Sequence, residues 1–241
     1  MSLTEIRKII NDSDNIVCLC GLGMNSECGF PDHRVPGEAY DIELKYGHSP
    51  EDLFSSLFYT VRTKQFFQYY KNEILCLDRE PGAAFYSLAE LEKTGKLRAT
   101  ITRSFYSLPQ RAGCKKVIEL LGSIYKNTCP HCGTEYTVDF VKSASSVPLC
   151  PECQKTIRPG VCLYGEMVDN QLTTKSAETI SKADVLLVLG TNLKSRLCEQ
   201  RLKYFNGSKV ILINEEEHYS DDLADYVIHD KVNDVLPYLV S

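Results

Sequence analysis

Two cysteine pairs constrain this chain more than any other feature: Cys129-Pro130-His131-Cys132 and Cys150-Pro151-Glu152-Cys153, with 17 residues between them. Two residues between the cysteines let both thiolates face one ion, and two such knuckles complete a tetrahedron of sulfurs at about 2.3 Å from a zinc ion. Four thiolates leave no open coordination position, so a metal held this way is structural rather than catalytic. His131 lies inside the first knuckle, where a saturated ion has no place for it, and is expected as an exposed loop residue. The other reading of the pattern is four free thiols. From about Tyr125 to Pro159 the chain is rich in Pro, Ser and Cys and poor in long apolar runs. This composition predicts a small inserted zinc-ribbon module over 125–159.

The remainder, 1–124 and 160–241, is long enough to form one larger domain. Eleven cysteines is an odd number, and Met1–Asp14 is polar, with no apolar stretch of signal-peptide or membrane-spanning length. Both facts argue against a disulfide framework and lead to an expected cytoplasmic location, with the seven other cysteines as small buried hydrophobes. A net charge of -5 gives no electrostatic reason to expect nucleic acid or an anionic membrane as partner.

Apolar runs rich in Val, Ile, Leu and Cys recur at Asn15–Cys20, Leu97–Thr102, Val185–Gly190 and Val210–Asn214. Continuous runs of this kind suit strands buried on both faces of a parallel sheet. Between them, spaced apolar residues predict helices over Leu53–Leu77, Gly82–Thr94, Thr173–Lys182 and Leu197–Asn206. Alternation of the two patterns predicts an α/β class, a Rossmann-type doubly wound parallel sheet. The first strand ends in Gly21-Leu22-Gly23, a turn that lets backbone approach a pyrophosphate, although Ser26 stands where the third glycine of the dinucleotide fingerprint belongs. Gly190-Thr191-Asn192 follows the strongest apolar run, and Asn214-Glu215 ends another. Three polar strand ends on one sheet edge point to a nucleotide, while each taken singly is equally an ordinary tight turn.

Taken in order, GLGMNSECGFPDHR (21–34), RAG (111–113) with VIELLGS (117–123), the two knuckles, RPGVCLYGE (158–166), LGTNL (189–193), Ile213-Asn214 and the closing ADYVIHDKVNDVLPYLV (224–240) resemble the sirtuins. The resemblance implies an NAD-binding Rossmann-type domain, a small zinc-binding domain, and a cleft that takes NAD and an acyl-lysine peptide. It also implies the reaction, NAD-dependent deacylation of acyl-lysine on proteins. By the same resemblance Gly21, Gly23 and Asn25 face the phosphates, Asp32 and Arg34 lie in the cofactor loop, and Gly190, Thr191, Asn192, Asn214 and Glu215 hold the adenosine side. Val161 and Tyr164 line the acyl-lysine channel, and the loop between Gly29 and Ser49 opens for cofactor exchange.

The departures from the family fall on the chemistry. Leu121 stands where sirtuins carry the histidine that acts as general base for the nicotinamide ribose hydroxyl. Arg103, Ser104 and Tyr106 replace the Gln, Asn and Asp of the ribose and nicotinamide pocket, Pro109 replaces a histidine that closes that motif, and Phe85 replaces another frequent histidine. Arg103 and Tyr106 could instead contact a phosphate or an acidic ligand. His33 occupies the position of a phenylalanine that shields the ribose, and an imidazole is chemically suited to act as a base there; the other reading is a loop histidine. Loss of a positioned base costs about 100- to 10,000-fold in rate. The pattern therefore implies weak, altered or absent deacylation, with two alternatives: a non-catalytic module that binds NAD or ADP-ribose or scaffolds a partner, and a protein ADP-ribosyl transferase.

Overall fold

The computed structural model describes residues 2–33, 35–75 and 78–241. Its strands, in chain order, are β1 (Ile16–Cys20), β2 (Leu97–Thr102), β3 (Val117–Glu119), β4 (Asn127–Thr128), β5 (Glu135–Tyr136), β6 (Val185–Leu189), β7 (Lys209–Ile213) and β8 (Tyr226–Ile228). Contacts divide the chain into two compact units: 1–29, 80–120 and 169–241 form the first, and 30–79 with 121–168 form the second.

The first unit is built on a six-stranded sheet in the order β3-β2-β1-β6-β7-β8. Every neighbouring pair in it is parallel. This is the doubly wound dinucleotide-binding order, with its reversal point between β1 and β6. All residues of β1 and β6 are buried, which is why both read as unbroken apolar runs rather than as alternating ones. Helices Leu3–Asp12, Ala83–Lys93 and Val232–Val240 pack on one another, the first through Ile6 and Ile10, one turn apart and fully buried. Two of these helix starts are closed by side chains distant in sequence. Glu27 accepts from the Val232 and Asn233 amides at 2.9 and 2.8 Å, and Asn233 accepts from the Ala84 amide at 3.0 Å. Each contact satisfies amide donors that a helix N-terminus leaves open.

The second unit takes in the whole 125–159 segment and also 30–79, a stretch whose helical periodicity the sequence assigned to the larger domain. Where one helix was expected over 53–77, the chain forms Pro50–Leu53, Ser56–Val61 and Thr63–Tyr69, followed by a π turn at Tyr70–Ile74; Leu77 lies outside the described residues. Ser49 and Ser55 cap two of these starts, accepting from Asp52 and Phe58 amides, and Arg62 leaves helical geometry at φ -124° and ψ 45°. Phe54, Phe66, Phe67 and Tyr70 nevertheless all turn inward, stacked or edge-on at 5.2–6.4 Å, so the apolar pattern runs on through the breaks. The expected helix over 197–206 is likewise short, Glu199–Leu202. Among the described residues no helix is long and apolar enough to cross a membrane.

Candidate functional site

Within the first unit, the turns after β1 and β6 meet at the reversal point of the sheet. The Gly21 amide donates to Leu189 O at 2.8 Å and the Gly23 amide to Gly190 O at 2.9 Å. A Cβ on Gly21 would lie 2.3 Å from Gly190 O and 2.3 Å from Thr191 Cβ, so the absent side chain is first required by the interlocking of these two turns. The same interlock leaves bare backbone at the carboxyl end of the strands, where ligands of open α/β sheets bind. Asn25 is buried and donates through Nδ2 to Ser104 Oγ at 2.9 Å. The Ser104 amide donates to Thr102 Oγ1, which in turn donates to Cys20 O, tying the end of β2 to that of β1. Thr191 and Asn192 are half-buried, with Asn192 Oδ1 accepting from the Lys194 amide at 3.0 Å. Asn214 is half-buried and donates to Glu216 O at 2.6 Å, and Glu215 is exposed.

Arg103 is half-buried, while Ser104 and Tyr106 are buried, so this departure from the sirtuin pattern is packed into the fold. Ser107, which follows, holds a left-handed φ of 52° and donates to the buried carboxylate of Glu119 at 2.5 Å. A left-handed non-glycine residue costs about 1–2 kcal/mol, and the hydrogen bond to Glu119 offsets part of it.

In the second unit, Leu121 is half-buried, and its carbonyl accepts from the Cys162 amide at 2.9 Å. Gly122 bridges Val161, and the Ser123 amide donates to Gly160 O at 2.8 Å. A Cβ on Gly122 would fall 2.1 Å from Gly160 O, so the Leu121-Gly122-Ser123 turn is fixed against the Gly160-Val161-Cys162 segment. Val161 is buried and Tyr164 exposed; Tyr164 pairs with the helix start at Ser55 and Ser56. Arg158 Nη2 donates to both Glu166 carboxylate oxygens at 2.7 Å, and Glu166 accepts from the Leu163 amide. That ion pair ties the two ends of the RPGVCLYGE segment together.

His33, also in the second unit, lies with its ring 6.0 Å from that of Tyr69 and its Nδ1 3.9 Å from a Glu38 carboxylate oxygen. Neither ring nitrogen makes a hydrogen bond, and both are buried. Asp32 is half-buried, and Arg34 lies outside the described residues. The segment that follows forms the helix Pro36–Tyr46, started by Pro36 and ended by Gly47 at a φ of 73°.

The four cysteines come together. Their sulfurs all lie within 4.8 Å of one another, with Cys129–Cys153 at 3.3 Å and Cys132–Cys150 at 3.6 Å. A tetrahedron with 2.3 Å bonds has edges of about 3.8 Å, so the cluster fits a zinc ion. The two knuckles repeat one turn. Gly133 and Gln154 amides donate to Cys129 O and Cys150 O, the Cys129 and Cys150 amides donate to Thr134 O and Lys155 O, and Gly133 and Gln154 take φ values of 75° and 58°. His131 is exposed. The sequence reading overlooked two hydroxyls on the sulfurs: Tyr136 Oη stands 2.9 Å from Cys150 Sγ, and Thr134 Oγ1 3.2 Å from Cys132 Sγ. Their positions, two and four residues after Cys132, were the available signal.

Comparison with known proteins settles the family. The Sir2 family model matches residues 21–196. The chain belongs to the Sir2 family. A protein named NAD-dependent protein deacetylase from Clostridium acetobutylicum is 37% identical over 99% of this chain and 98% of its own length. One of the same name from Clostridium perfringens is 35% identical, with 99% and 98% covered. Among solved structures, one described as the structural basis of sirtuin substrate affinity superposes with a TM-score of 0.88 at 29% identity, covering 99% of this chain and 98% of the other. A Sir2 complex with a p53 peptide and NAD+ superposes with a TM-score of 0.83 at 30% identity, covering 99% and 97%. The Rossmann-type sheet and the four-cysteine module of this Sir2-family chain thus match the fold that its sequence motifs implied.

Proposed function

We propose that this Sir2-family protein binds NAD or ADP-ribose at the carboxyl edge of its parallel sheet, that it is cytoplasmic, and that deacylation of acyl-lysine proteins is strongly reduced or lost. The relatives named as deacetylases and the solved Sir2–NAD+ complex support the ligand. The glycine turns at the reversal point keep side chains out of the way of its phosphates, and Asn25, Thr191, Asn192, Asn214 and Glu215 nearby are polar groups suited to phosphate and ribose. Arg103, at the end of β2, adds a cation to that edge, and by the family resemblance Asp32 and Arg34 are further cofactor contacts. Val161 and Tyr164 are the residues for an acyl-lysine side chain.

The observation that carries the loss of activity is Leu121. Bound NAD supplies an electrophilic ribose carbon and nicotinamide as leaving group, and the family reaction needs a base at the ribose hydroxyl. Leucine moves no proton, and the Gly122 turn that would present a base is kept rigid all the same. Replacing Leu121 with histidine should raise nicotinamide release with an acetyl-lysine peptide by at least tenfold, part of the 100- to 10,000-fold that a positioned base contributes. Wild-type release on the order of 1 s⁻¹, within the ordinary range of enzymes, would overturn the reading.

A second reading moves the base to His33, favoured by its two unpartnered ring nitrogens and by the Glu38 carboxylate 3.9 Å away. A closer approach of Glu38 would orient the imidazole as carboxylates do in catalytic dyads. On this reading H33A abolishes whatever nicotinamide release the wild type shows, and unchanged release removes His33 from the chemistry.

A further inference from the structure

Arg201 is a buried cation whose charge no acidic side chain answers. It is 4% exposed, and its Nη1 donates to Leu197 O at 3.0 Å and Arg196 O at 3.4 Å, two carbonyls of the preceding turn. Its Nε is buried and has no acceptor. None of the ion pairs among the described residues includes it. Taking a charge out of water costs several kcal/mol, and two carbonyl dipoles return only part of that. Burial, and then the charge of Arg103, holds the Arg201 guanidinium below its ordinary pKa, so a second cation adds to the cost.

Arg201 also lines a cavity of about 180 Å³, shared with Thr173 and Ser176 of the helix Asn170–Ile180 and with Gln200, Lys203 and Tyr204. The lining contains two cations, three hydroxyls, an amide and no carboxylate. All of it belongs to the first unit. We propose that this cavity is a binding site for a small oxyanion, a phosphate or a short carboxylate, held by Arg201 and Lys203. A guanidinium is a permanently charged N–H donor suited to such a group, and only its Nη1 is taken up by the preceding turn. Lys203 is exposed at the rim and adds a point charge. The site is distinct in its residues from the glycine turns, and the inference stands whether or not NAD binds there.

The test reads Arg201 itself. In protein labelled with ¹⁵N-arginine, the Nε–Hε signal of Arg201, identified by its loss in R201K, is followed during titration with inorganic phosphate and with succinate, against sodium chloride at matched ionic strength. A saturable shift with either anion and not with chloride supports the site, and the anion that produces it tells phosphate from carboxylate. K203Q, a surface change that leaves the fold intact even where R201K does not, should weaken the apparent affinity about two- to fivefold, the worth of one exposed charge. No saturable shift with either anion would overturn the proposal. So would phosphate binding that leaves the Arg201 signal in place, which would locate the ion at the glycine turns instead.

Discussion

Gln154 carries a cost that its counterpart in the other knuckle avoids. Both residues sit fourth after the first cysteine of their turns and both are left-handed, but one is Gly133 and the other is not. The Q154G variant should therefore hold its metal more firmly, by about 1 kcal/mol, the price of a left-handed side chain. Slower zinc loss to a chelator, measured with a colorimetric indicator, is the expected result; faster loss would mean that the Gln154 side chain contributes more than its backbone strain costs. At this scale the sequence was legible where chemistry repeats at fixed spacing, as in the four cysteines. It was illegible where a role depends on a partner far along the chain. Glu27 closing the helix that starts at Val232, Asn233 closing the one at Ala83 and Ser104 engaging Asn25 leave no local pattern, because nothing near those residues changes when the partner is removed.

Elements were legible in proportion to their burial. β1, β2, β6 and β7 lie inside the sheet and read directly as apolar runs, whereas β3 and β8 are three-residue edge strands with too few residues to set a period. The 53–77 stretch was misread as one helix because inward aromatics continue across each break, and breaks set by Ser55 and Arg62 alter the backbone without altering the apolar pattern. The zinc-ribbon segment behaves in the opposite way. Its buried apolar side chains are few, with Val138, Val141 and Ile157 the main ones, so the metal supplies most of what holds it. Removing zinc with a chelator should abolish amide-exchange protection over 127–158 while β1 and β6 keep theirs. Retained protection across both knuckles would show that the segment folds on apolar contacts alone.

Across the whole molecule, the features that define the Sir2 fold are present, and on the proposed reading the groups that move protons in its reaction are replaced. The parallel order, the interlocked glycine turns and the four-sulfur cluster all match the family. At the expected base position stands Leu121, on a turn whose hydrogen bonds to Gly160 and Cys162 are complete. The interlocked glycine turns serve the fold by themselves, whereas the polar strand ends at Asn192, Asn214 and Glu215 do not, so ligand binding without efficient turnover is the account that joins them to Leu121. The direct test is calorimetric titration of the zinc-loaded protein with NAD and with ADP-ribose, followed by assay of nicotinamide in the same samples after an acetyl-lysine peptide is added. The account predicts saturable one-to-one binding of at least one of the two ligands, with nicotinamide release at least 100-fold below an ordinary turnover of about 10 s⁻¹. Full-rate release, or no binding of either nucleotide, would contradict it.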